Sequence, residues 1–190
     1  MPAPYEILIG PLEVWIAPVG TAFPTVQTSV VPGSWTQMGV NDMEEAGVKV
    51  THKASITEWR GLGGTGPRKV GRTSEDLKIS FTLVDLTLEK YLITLGQTII
   101  LVVGPPGTKD IPLYQGTAVA QFALLARGLS PYGDAYYRQY QVPVVYHSGN
   151  PEPVAMKGKP AGLAFEFTAL EDPNAVTASE RFGDLIIQYQ

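Results

Sequence analysis

Two short stretches restrict the fold of this chain more than anything else in it. In SEDLKISFTL, Leu77, Ile79, Phe81 and Leu83 alternate with Asp76, Lys78, Ser80 and Thr82, and near the end Leu163, Phe165 and Phe167 alternate in the same way. A period of two residues sends the apolar side chains to one face of an extended strand and the polar ones to the other. Val48, Val50, His52, Ala54 and Ile56 form a third such series, opposite Lys49, Thr51, Lys53, Ser55 and Thr57. Leu12 to Ile16 reads as a strand as well, and Leu185, Ile187 and Tyr189 close the chain with the same period. Val142 to Tyr146 and Thr98 to Val103 are apolar, β-branched runs of strand type. In TAVAQFALLARG the alanines permit a helix, but the place of the segment before SPYGDAYYRQYQVPVVYHSG favours a strand, as its hairpin partner.

Turns are plentiful, with 20 glycines and 16 prolines, including GPPG at 104–107 and GNPEP at 149–153. Residues 18–34 read as a long ordered loop. One segment has the helical period instead. In DLTLEKYLITLG, Leu88, Tyr91, Leu92 and Leu95 fall at i, i+3, i+4 and i+7, with Asp85 or Thr87 available as N-cap and Gly96 as terminator. The expectation is a helix of about three turns from Leu86 to Leu95 that packs its stripe on the sheet. The chain is therefore mainly β with one helix. Its 190 residues suit one domain over 1–190, with no repeat, heptad or linker.

Charge is unevenly placed. The total is −4, which gives no general reason to expect a nucleic-acid binder. Residues 1–59 hold two lysines against six acids, whereas residues 60–72 hold Arg60, Arg68, Lys69 and Arg72 with no acid. A basic, glycine-rich loop on an acidic body can attract another copy of the same chain. The loop, GLGGTGPRKVGRT, also imitates phosphate-binding motifs. Gly61, Gly63 and Gly66 have dinucleotide-loop spacing, and residues 66–73 approach a Walker pattern with Arg72 in the lysine position. Both motifs need a helix that opens on the phosphate. Here Pro67 and then the strand LKISFTL follow instead, so a long flexible loop at about 60–75, joining antiparallel strands, is the favoured reading.

Other chemistry finds little support. There is no cysteine, so disulfides, thiolate metal sites and thiol nucleophiles are excluded. His52 and His147 lack the neighbouring ligands of a metal site, and no GxSxG is present. The acid pairs Glu44/Glu45, Glu75/Asp76 and Glu171/Asp172 would point to opposite faces of a strand and make poor catalytic dyads. Tyr136, Arg138 and Tyr140 share a strand face that could bind protein, sugar or single-stranded nucleic acid, with sheet packing as the commoner explanation. No enzyme, cofactor or metal is expected. The N-terminus lacks a signal-peptide pattern and no stretch approaches a membrane span, so the expectation is a protein soluble where it is made, with no membrane partner.

The order of these features resembles that of the major tail tube protein of long-tailed, non-contractile bacteriophages. The parts that carry the resemblance are LEVWIAPVGTAFP, then SWTQMGVNDMEEAGVKV with its W-x-x-M-G stretch at Trp35 to Gly39, then the strand-to-helix junction from Glu75 to Gly96, and LAFEFTALEDP. The resemblance implies an antiparallel β-sandwich or barrel flanked by the one helix. It implies hexameric rings stacked into a hollow tube, with the long loop ordered by neighbouring subunits, so that Arg60, Leu62, Arg68, Lys69, Val70 and Arg72 become inter-subunit residues. It further implies a place in the virion tail after assembly in the host cytoplasm, tape measure and tail-end proteins as partners, and DNA passing through an acidic lumen without specific binding. A tail terminator or secretion-system tube subunit of the same fold, and a carbohydrate-binding β-sandwich using the tyrosine face, are the alternatives.

Overall fold

The computed structural model describes residues 10–27, 30–39, 43–96, 102–103 and 107–189. Along the chain lie β1 (Glu13–Pro18), β2 (Thr36–Gly39), β3 (Lys49–Trp59), β4 (Lys69–Leu83), α1 (Leu88–Thr94), β5 (Val102–Val103), β6 (Lys109–Asp110), β7 (Gln121–Ser130), β8 (Gly133–His147), β9 (Val154–Met156), β10 (Lys159–Ala169) and β11 (Asp184–Ile187). Among the described residues, β5 and β6 pair only with each other. The other nine strands form one antiparallel sheet in the order β2-β1-β7-β8-β10-β4-β3, with β11 added on β8 and β9 on β10. Of the expected strand over Thr98 to Val103, residues 98–101 lie outside the described residues, as do 104–106 of GPPG.

The alternating stretches build the core. Leu163, Phe165 and Phe167 of β10 stand opposite Leu83, Phe81 and Ile79 of β4, and all six are buried. Phe81 stacks on Phe165 with ring centroids 5.2 Å apart. Burying each such side chain is worth about 1.5–3 kcal/mol. Val14, Ile16, Met38, Leu124 and Val142 join the same cluster from β1, β2, β7 and β8, so the sheet wraps around one core as a sandwich does. Beyond β2 the chain meets β4 from the far end of the strand order: Met43 bridges Leu83, and the Glu44 amide donates to the Thr82 carbonyl at 2.9 Å.

On the other face of β1 and β7, Ala17, Trp35, Ala123 and Leu125 form a second cluster with Trp15, Phe23 and Val31. This explains why EVWIAP is apolar without strict alternation: both of its faces are covered. The segment that covers it is the long loop expected over 18–34. It is strapped down by Gln139 Nε2 donating to the Pro24 carbonyl at 2.8 Å and by Trp35 Nε1 donating to the Ala22 carbonyl at 3.2 Å.

Helix α1 follows β4 directly. Thr87 caps it, its hydroxyl accepting from the Lys90 amide at 3.4 Å, while Asp85 forms an ion pair with Lys90 at 2.7 Å. Leu92 and Leu95 are buried, Tyr91 packs against the main core and Leu88 is half-buried. Gly96, at φ +68°, ends the helix in the left-handed conformation. The helix covers 88–94 rather than 86–95 because its cap is Thr87, which leaves Leu86 outside and exposed. TAVAQFALLARG is strand from Gln121 onward and pairs with β8 along its length, since tertiary pairing overrides the helix propensity of its alanines.

Candidate assembly interface

Strands β3 and β4 stay paired far beyond the core. Their ladder runs from Lys49 opposite Ser80 to Trp59 opposite Lys69, and the Arg68 amide closes it by donating to the Trp59 carbonyl at 2.8 Å. From His52 to Glu75 every residue but the half-buried Gly61 is exposed. The eight residues from His52 to Trp59 make a ribbon that reaches about 25 Å beyond the half-buried Thr51. The expected loop at about 60–75 is therefore shorter: the turn covers 60–68, and Lys69 to Glu75 belong to β4. Pairing with Ala54 to Trp59 imposes strand on a sequence whose glycine and arginine content reads as loop.

The periodicity of β3 also has a different outcome from that of β4. Val50 packs against the core, whereas His52, Ala54 and Ile56 continue its face into solvent. Between Ser55 and Ile56 the register shifts, because β4 carries the additional residue Thr73. Beyond that bulge, Ile56 and Val70 share one face with Glu58 and Arg72, and Trp59 lies on the other with Lys69. Ile56, Trp59 and Val70 are 63%, 59% and 58% exposed, and Leu62 at the tip is fully exposed. A two-stranded hairpin is marginally stable in water by itself. This one holds four large apolar side chains in solvent, two on one face, one on the other and one at the tip.

The hairpin brings acids to the basic loop that a window over 60–72 leaves out. Arg60 pairs with Glu58 at 2.8 Å and donates to the Thr65 carbonyl at 3.0 Å, and Arg72 pairs with Glu75 at 3.0 Å. Arg68 and Lys69 make no ion pair among the described residues. Of the six residues expected at an inter-subunit contact, Arg60, Leu62 and Arg68 thus sit in the turn and Lys69, Val70 and Arg72 on the ribbon. Ile56 and Trp59 are not among those six, although the sequence carries a signal for them: large apolar residues beside a glycine-rich turn. At the root of the ribbon, Lys78 Nζ meets Glu166 Oε1 at 2.7 Å, and this hydrogen bond holds the Glu166 carboxyl below its ordinary range.

The remaining candidates disperse. After Gly66 and after Thr73 the chain turns into strand, so no helix N-terminus faces a phosphate there. His52 is on the exposed ribbon, while His147 is buried with its ring edge-on to Phe165 and Phe167. Among the described residues no group of three or more His, Asp or Glu could hold a metal ion, and no helix is long and apolar enough to cross a membrane. Tyr136 and Arg138 are half-buried and Tyr140 packs against the core, so this series is sheet packing more than an open platform.

No family model matches the chain, and no curated protein matches it. Among solved structures, a chain of the sixfold-symmetrised cryo-EM structure of the anti-feeding prophage baseplate aligns with 100% of this chain and 98% of its own length, at 8% identity and a TM-score of 0.43.

Proposed function

We propose that the chain is a structural, non-enzymatic subunit that polymerises through stacked hexameric rings into the hollow tail tube of a bacteriophage. The observation that carries this reading is the free ribbon of β3 and β4. It displays Ile56, Trp59, Leu62 and Val70 in solvent, uncovered by any of the described residues, and Arg68 and Lys69 with no ion-pair partner among those residues. Strand β3 also ends the strand order, and among the described residues no strand pairs with its outer edge. An assembly of many copies satisfies edge, apolar surface and charge at once. The order of sequence features shared with tail tube proteins points to the same kind of assembly. In this reading the subunit joins the virion tail in the host cytoplasm, surrounds a tape measure protein and meets tail-end proteins at the two ends. DNA passes through the lumen without specific binding, which suits a net charge of −4. Negative-stain electron microscopy of the purified protein tests the proposal. Extended hollow filaments are the expected result; single closed rings would indicate a terminator instead, and monomers at every concentration would reject self-assembly.

A further inference from the structure

A ribbon that must be covered needs a receiving surface, and one groove has the matching chemistry. It has a volume of about 380 Å³ and lies between the turn at Val19 to Phe23, the β8 residues Gln141 to Val144, and the segment from Asp172 to Asp184. Its floor is apolar, from Phe23, Pro143 and Val144, and Val176 stands on its rim 91% exposed. Its walls carry Asp172, Glu180 and Asp184 and no basic residue. None of these three acids has an ion pair among the described residues, and the nearby Arg181 is turned to Glu171 at 3.0 Å. Two other grooves of similar size differ on this point: one sets Arg127 beside Glu13, the other Arg138 beside Glu44 and Glu45.

The groove is formed before anything binds. The Leu170 amide donates to the Val144 carbonyl and the Asp172 amide to the Arg181 carbonyl, both at 2.9 Å. Gly183, at φ +91°, lies so close to β8 that a Cβ there would overlap the Gln141 carbonyl oxygen. The wall is thus pinned to the sheet rather than left to fold around a partner.

We infer that this groove receives the ribbon tip of a second copy of the chain, with Leu62 on the apolar floor and Arg68 and Lys69 against Asp172, Glu180 and Asp184. The inference rests on the reading of the chain as a self-assembling subunit, and it adds the surface through which one copy holds the next. The tip has an apolar residue flanked by unpaired cations, and the groove has an apolar floor flanked by unpaired anions. Complementarity of this kind fixes register and rejects wrong partners. The contact is head-to-tail, joining two different surfaces, so it can propagate.

The absence of native cysteine makes a direct test clean. A subunit carrying Leu62→Cys and a mass-tagged subunit carrying Val176→Cys are mixed and oxidised, with Val154→Cys, another exposed site, replacing Val176→Cys as control. A mixed disulfide at 62–176 and none at 62–154 is expected. Arg68→Glu with Lys69→Glu on the first subunit should abolish it, and Glu180→Lys with Asp184→Lys on the second should restore it. Equal coupling to both sites would overturn the inference, as would a disulfide formed within one chain carrying both cysteines at a dilution that leaves monomers. Filaments without the 62–176 link would overturn this docking and leave the tube reading standing. The link without filaments would support the docking and reject the tube.

Discussion

The proposed assembly separates what holds one subunit together from what joins two, and Trp59→Ser tests it. The indole is 59% exposed in the monomer, and Trp buries roughly 150–250 Å² when fully covered, so about 90–150 Å² remains to be removed from water. At about 25 cal/mol per Å² this surface is worth roughly 2–4 kcal/mol on assembly. Each 1.4 kcal/mol is a tenfold change in an equilibrium, so complete coverage predicts a rise of roughly 30- to 700-fold in the concentration at which the protein assembles. The monomer should barely respond. Trp59 stands opposite Lys69 on the exposed ribbon, and exposed substitutions of this kind usually change stability by within about 0.5 kcal/mol. Urea unfolding at a concentration too low for assembly measures the first effect, and sedimentation across a concentration series measures the second. An unchanged assembly threshold would show that the indole stays in water in the polymer. A clear fall in the monomer midpoint would show that the ribbon is braced by its own chain.

Three further outcomes are expected. Leu92→Ala should destabilise the monomer by about 2–5 kcal/mol in denaturant unfolding, because Leu92 is buried under α1. His147 is held below its ordinary value of about 6.5, mainly by burial, with the backbone of Ala164 and Thr94 and the charge of Glu166 partly offsetting this. Unfolded chains then bind more protons than folded ones, so stability falls as pH drops through about 6.5, and His147→Phe should flatten that slope in thermal unfolding between about pH 7 and 5. Calorimetric titration with ATP or NAD should show no saturable binding at micromolar concentration, since no helix opens at Gly66 or Thr73.

The sheet was legible where alternation coincided with coverage. Leu77 to Leu83 and Leu163 to Phe167 announce a buried face, and each lies against the other. Val48 to Ile56 carries the same alternation, yet only its beginning reaches the core. Periodicity records which residues share a face and says nothing of what lies against it. The loop boundary failed for a related reason: Lys69 to Glu75 is strand because Ala54 to Trp59 is beside it, a condition that local propensity does not contain. Charge read along the sequence left Glu58 and Glu75 out of the loop, whereas the hairpin returns them to Arg60 and Arg72. The acidic groove was harder still, being assembled from three segments, near residues 20, 142 and 178, with no pattern in common.

The two faces of the ribbon have a kinetic consequence for the proposed assembly. Strand alternation sets Ile56 and Trp59 on opposite faces, and the bulge at Thr73 brings Val70 to the side of Ile56, so both faces carry exposed apolar surface. A first neighbour can shield one of them. If assembly buries both, a pair of subunits retains an uncovered face that a larger cluster does not, and early oligomers are less stable per contact than later ones. Growth of that kind shows a lag that disappears when preformed fragments are added as seeds, and it keeps free subunits dispersed until enough of them meet.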